Sequence, residues 1–116
     1  MSSAGDRLRG RFAGLRVRVV VEEWRDILEL DSQGEPAIYA KPFTLADSAL
    51  LQREIELDSP EGFATVVMTK SETEQGERVF DLADRQVLLQ CCEAHIVSRV
   101  GRELMASLTF KDAEGN

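Results

Sequence analysis

The sequence predicts an α+β chain: a small antiparallel sheet or hairpin near the N-terminus, then a mainly helical part that ends in a long helix. Three observations predict it. Leu15-Arg16-Val17-Arg18-Val19 alternates apolar and charged residues, the period of a strand with one buried face. Thr44…Asp47 and Ser59-Pro60 are helix-start signals placed well apart. From Asp81 to Leu108 the chain has no Pro, and Leu88, Cys92, Ile96, Val100, Leu104 and Leu108 recur every fourth residue. Residues four apart lie one above another on a helix, so this last stretch carries an apolar stripe.

In chain order, residues 1–14 are rich in Ser, Gly and Arg without periodicity and are expected to form a flexible basic arm. Residues 15–108 then make one α+β domain, and 109–116 a polar tail. The first strand covers Leu15 to Val21, with Leu15, Val17 and Val19 inward and Arg16 and Arg18 toward solvent. Glu22-Glu23-Trp24 breaks the pattern. Ile27-Leu28-Glu29-Leu30 reads as a second short strand. Asp31 to Pro36 is a turn-forming cluster, and Ala37 to Lys41 pairs back as a third strand. Pro42 ends the sheet, because it has no N–H for a ladder.

The first of the later helices starts after Thr44 and runs from Leu45 to about Leu57, with Leu50, Leu51, Ile55 and Leu57 inward. The next covers about Pro60 to Thr73 and presents Phe63, Val66, Val67 and Met68. Its β-branched centre makes a strand the competing assignment. Glu74-Gln75-Gly76-Glu77 is a turn. Phe80-Asp81-Leu82-Ala83-Asp84 then nearly repeats Phe43-Thr44-Leu45-Ala46-Asp47, the same capping device used twice, and opens the final helix.

Composition bounds the function. A chain of 116 residues supports one domain, and 43% hydrophobic residues are too many for a wholly disordered chain. A net charge of −7 argues against general nucleic-acid binding, which is driven by phosphate neutralisation. The charge is uneven: Arg7, Arg9, Arg11, Arg16 and Arg18 crowd the start with Asp6 as the one acid among them, and acids dominate from Glu22 to Glu77. No apolar run approaches the roughly 20 residues that cross a bilayer, and the start lacks a signal peptide's apolar centre. Adjacent Cys91 and Cys92 do not resemble a disulfide framework. A reducing cytoplasm is the expected compartment, with no membrane association.

Candidate chemistry is sparse. His95 follows Cys91 by four and Cys92 by three, which is half of a metal site at most; structural zinc needs four ligands. Small buried thiols beside an exposed imidazole are the simpler reading. No phosphate loop, nucleophile–base pair or cofactor motif stands out, so neither catalysis nor a cofactor is expected. Trp24 and Tyr39 are either core residues or interface anchors. The final helix carries a stripe broader than a short sheet and two short helices can cover. Its far face, Val97, Gly101, Met105 and Leu108, is the candidate partner contact. Gly101 permits close approach of another backbone and Met105 adapts to varied surfaces. The same residues would otherwise complete the core or a homo-oligomer interface.

The order of these features resembles the small tail assembly chaperones of long-tailed bacteriophages and prophages. The matching residues are Val21-Glu22-Glu23-Trp24, then Ile38-Tyr39-Ala40-Lys41-Pro42-Phe43-Thr44-Leu45-Ala46-Asp47, then Glu74-Gln75-Gly76-Glu77-Arg78-Val79-Phe80-Asp81-Leu82-Ala83-Asp84. The resemblance spans about residues 19–108 and lies in the order and spacing of motifs. The segment from Arg25 to Pro36 is longer than the family's, and Phe43 stands where Leu is usual. What the resemblance implies is a non-catalytic role in the host bacterial cytoplasm. Such proteins bind the tape measure protein and keep it soluble until tail tube subunits polymerise around it, and they are missing from the mature virion. A frameshifted C-terminal extension is common among them. Two other roles suit the same features: a ring-forming virion protein, such as a head–tail connector or tail terminator, and a small bacterial adaptor.

Overall fold

The computed structural model describes residues 3–54 and 59–106. Its elements are α1 (Ala4–Ala13), β1 (Val17–Val20), a 3-10 turn (Glu22–Trp24), β2 (Ala37–Ala40), α2 (Leu45–Glu54), α3 (Pro60–Lys70), α4 (Asp84–Gln90) and α5 (Ala94–Ala106). The predicted class therefore holds: an N-terminal antiparallel hairpin followed by mostly helical chain.

The expected basic arm contains a helix instead. Ser3 and Asp6 form a reciprocal capping box, Asp6 N–H donating to Ser3 Oγ at 3.1 Å and Ser3 N–H to Asp6 Oδ2 at 3.3 Å. The box satisfies two of the N–H groups that a helix start leaves unpaired. No residue of α1 is buried, so it is held locally and not by a core.

β1 and β2 pair antiparallel in the register Val17↔Ala40 to Val20↔Ala37. The predicted alternation holds in part: Val19 is buried and Arg16 exposed, but Arg18, expected toward solvent, is half-buried against Asp31 and Glu35. The strand expected at Ile27–Leu30 does not form. Ile27 and Leu28 N–H both donate to the Trp24 carbonyl at 2.9 Å, which coils the chain where a strand would extend it. Its place beside β2 is taken by Glu72, whose N–H and carbonyl both bond Tyr39 (2.7 and 2.8 Å).

Thr44 and Asp47 form the predicted capping box at 3.0 and 3.1 Å, and Lys70 Nζ reaches Asp47 Oδ2 at 3.0 Å, tying α2 to α3. The inward positions expected on α2, Leu50, Leu51, Ile55 and Leu57, lie outside the described side chains. Ser59 caps α3 by accepting from Gly62 N–H at 3.0 Å, and Pro60 follows as a first-turn residue. This start prevails over the β-branched centre. Thr65 and Thr69 hydroxyls fold back onto the carbonyls of Glu61 and Thr65 (2.8 and 2.7 Å), a pairing that leaves no polar group stranded.

The single helix expected from Asp81 to Leu108 is two. Asp81 N–H does bond Asp84 Oδ2 at 2.8 Å, but the helix proper begins at Asp84. At Cys91 the backbone leaves helical geometry (φ −121°), and the Glu93 carbonyl restarts it by accepting Ile96 and Val97 N–H at 3.0 and 3.3 Å. The break allows α4 and α5 to pack separately on α3, which one straight rod cannot do.

Val19, Val21, Trp24, Ile38, Ala40, Phe63, Val66, Val67, Leu88, Ile96, Val100 and Leu104 form one core. Every described member of the predicted stripe points into it except Cys92, which is half-buried; Leu108 lies outside the described residues. Burial at about 25 cal/mol per Å² of apolar surface makes this helix-on-helix contact the main source of stability.

Candidate partner-binding groove

The residues expected to meet a partner are, for the most part, used inside the chain. Val97 and Gly101 are buried on α5 against α3. A Cβ placed on Gly101 would stand 3.0 Å from Phe63 Cβ and 3.2 Å from its Cα. Gly101 thus does permit close backbone approach, and the backbone it meets is that of α3. Trp24 is buried with its ring edge-on to Phe80 at 5.8 Å. Tyr39 is buried under Arg16, whose guanidinium lies 4.5 Å from the ring centre. Met105 is half-buried, and Leu108 is outside the described residues. Cys91, expected to be buried, is exposed at the helix break, and Cys92 is half-buried beside exposed His95. Burial pushes the Cys92 thiol up, with the Trp24 indole N–H pulling the other way. Among the described residues, no three His, Cys, Asp or Glu side chains gather as a metal-binding group. No helix there is long and apolar enough to cross a membrane.

An open groove of about 340 Å³ lies between the segment Ile27–Asp31 and the turn Thr73–Val79. Its apolar lining comes from Leu28, Ala37 and Val79, with Ile27 (66% exposed) and Leu30 (49%) on the lip. Glu29, Asp31, Glu74 and Glu77 surround it, with Arg78 as the single cation of the lining. The volume is at the small end of the range for ligand pockets, about 300–1,000 Å³.

Asp31 builds one wall. Its Oδ1 accepts from Gln33 and Glu35 N–H (3.0 and 3.1 Å), which with Gly34 at φ +76° closes the turn toward β2. Its Oδ2 accepts from Arg18 Nε and the Tyr39 hydroxyl, both at 2.8 Å. Arg18 Nη2 also reaches Glu35 Oε1 at 2.6 Å. The Arg18 guanidinium holds the Asp31 carboxyl well below the usual carboxylate range, against the opposing effect of burial. Asp31 and Glu35 in turn raise Arg18. Burial, then the bond to Asp31, raises the Tyr39 hydroxyl.

The other wall is pinned to the first. Ser32 donates both its N–H and its hydroxyl to the Glu74 carboxylate (2.9 and 2.6 Å), lowering that acid. Arg16 Nη1 bonds the Glu74 carbonyl at 2.6 Å. The turn is closed by Gly76 N–H to Thr73 O (2.9 Å), with Gly76 at φ +90°. Both walls are thus fixed by charged hydrogen bonds while the two large aliphatic side chains on the lip stay in solvent. Sequence reasoning misses them because Ile27-Leu28-Glu29-Leu30 reads as a strand. The available signal was the acids at 26, 29 and 31 interleaved with the apolar residues, which leaves no clean buried face.

Comparison with protein-family models, with curated proteins and with solved structures returned no match.

Proposed function

We propose that this chain is a non-catalytic binding protein that acts as an assembly chaperone for a phage tail tape measure protein. In this reading it holds an apolar and basic segment of that protein in the groove between Ile27–Asp31 and Thr73–Val79. The observation that carries the reading is the groove itself: exposed Ile27 and Leu30 side by side with Glu29 and Glu77, on walls held in place by Asp31 and Glu74. Exposed apolar clusters rimmed by polar groups mark contact surfaces. A helix with an apolar stripe beside basic residues would lay the stripe on the lip and its cations on the carboxylates. The order of capping and turn motifs from Val21 to Asp84 supports the same reading through its resemblance to tail assembly chaperones. The work is expected to end in the bacterial cytoplasm, where tail tube subunits replace the chaperone on the tape measure chain.

The test is co-expression with a phage tail tape measure protein. The tape measure protein should be soluble with the chain and aggregate without it. Ile27→Ser combined with Leu30→Ser should remove the protection. A tape measure protein that is equally soluble alone, or fully protected by the double variant, would refute the reading.

A further inference from the structure

Helix α1 and the groove carry opposite chemistry on one chain. On α1, Arg7, Arg9 and Arg11 outnumber Asp6, and Leu8 projects among them at 62% exposure. Arg11, three residues after Leu8, shares its face of the helix, and Arg7 lies one turn before Arg11. The groove offers the reverse: aliphatic Ile27 and Leu30 beside Glu29 and Glu77. This acidic side already attracts arginines from its own chain, since Arg18 binds Asp31 and Glu35 and Arg16 reaches the Glu74 carbonyl. Own-chain α1 has a different neighbour. Gly14 and Leu15 N–H close its C-terminal turn onto Arg11 and Phe12 carbonyls at 3.2 and 3.0 Å. Its Leu8, Arg11 and Phe12 line, with Pro42 and Phe43, a separate cleft of about 290 Å³ that shares no lining residue with the groove. That cleft leaves Leu8 mostly in solvent.

We propose that α1 of one copy seats in the groove of a second copy, with Leu8 on Ile27 and Leu30 and the α1 arginines facing Glu29 and Glu77. The exchange is reciprocal, so two copies close into a symmetric dimer with no open surface left to propagate a fibre. The charges set both attraction and register. The dimer also covers the lip when no partner segment is bound, so partner and second copy compete for one groove. The inference rests on the groove and uses the proposed function only for that competition.

Light scattering on the size-separated full chain tests it. At about 50 mM salt the mass should be that of two copies, and raising salt to about 0.5 M, where the Debye length falls to a few ångströms, should weaken association at least about tenfold. Arg11→Glu should give single copies, as should Glu77→Arg, and an equimolar mixture of the two variants should restore dimers, since a mixed pair has one unaltered α1–groove contact and one in which both charges are reversed. Circular dichroism of each variant confirms that it is folded. A single-copy mass under all conditions would overturn the proposal. So would a dimer indifferent to both charge reversals, which would place the interface elsewhere. A salt-sensitive dimer that fails to protect the tape measure protein would refute the proposed function and leave this interface standing. A protective chain that never dimerises would do the opposite.

Discussion

The α3–α5 side of the molecule and the groove side are built by different forces. On the first, Phe63, Val66, Val67, Val100 and Leu104 are buried together, and the two helices touch so closely that Gly101 has no room for a Cβ. On the second, Asp31 alone accepts from two backbone N–H groups, a guanidinium and a phenol, and Glu74 accepts twice from Ser32. Apolar packing is indifferent to pH and salt, whereas charged hydrogen bonds are not. The chain keeps its stability in one place and its adjustable, solvent-facing chemistry in another. The groove lip can therefore vary without unfolding the domain.

The contrast is broken most severely at Leu104, which is fully buried. Leu104→Asp should abolish cooperative folding, because an unpaired charge cannot be accommodated there. Leu104→Ala should cost about 2–5 kcal/mol in denaturant unfolding. An unchanged midpoint would show that α5 is not part of the core. Gly101→Val comes next. Overpacking against the Phe63 backbone should cost about 1–3 kcal/mol, more than any gain in helix propensity. A stabilised variant would mean that α3 and α5 are further apart than described.

Acid sharpens the comparison from the other side. The Arg99 guanidinium lowers Glu23 from 4.5 to about 2, and Arg18 lowers Asp31. A carboxylate depressed in the folded state adds stability that is complete above its unfolded pKa and lost as pH falls through the folded one. Thermal stability should therefore be flat above about pH 5 and decline from about pH 4.5 toward 2. Asp31→Asn should flatten part of that decline, and a profile identical to the parent's would contradict the role given to Asp31. Ile27→Ser with Leu30→Ser should change stability by no more than about 0.5 kcal/mol, as for exposed residues generally. A larger loss would make the lip a structural element. The smallest effect is expected from deleting residues 1–12. At about 0.5 M salt, where copies are apart, the midpoint should stay within about 2 °C, since no residue of α1 is fully buried. A large drop would mean that α1 is docked on its own domain.

The helical side was the more legible in the sequence, and the two forces explain why. Every-fourth-residue spacing and capping residues are local signals, and Leu88, Ile96, Val100, Leu104, Thr44–Asp47 and Ser59–Pro60 all behave as read. The break at Cys91–Glu93 was not legible, because both halves keep the same spacing and only packing on α3 decides it. Gly101 was read correctly as a point of close approach, but periodicity does not name the helix that approaches. The groove was hidden for a similar reason. Arg18, Asp31, Tyr39, Ser32 and Glu74 converge from distant positions, and no spacing rule links them. Ser3–Asp6 was a readable cap that the Gly- and Arg-rich composition of the arm obscured.

Hydrogen exchange of the full chain, with and without added tape measure protein as the proposed partner, tests the central claim most directly. Binding should slow exchange in residues 27–31 and 73–79 and leave α3 and α5 as they were. Protection confined to the outer side of α5, with the groove unchanged, would contradict the account and return the contact to the final helix.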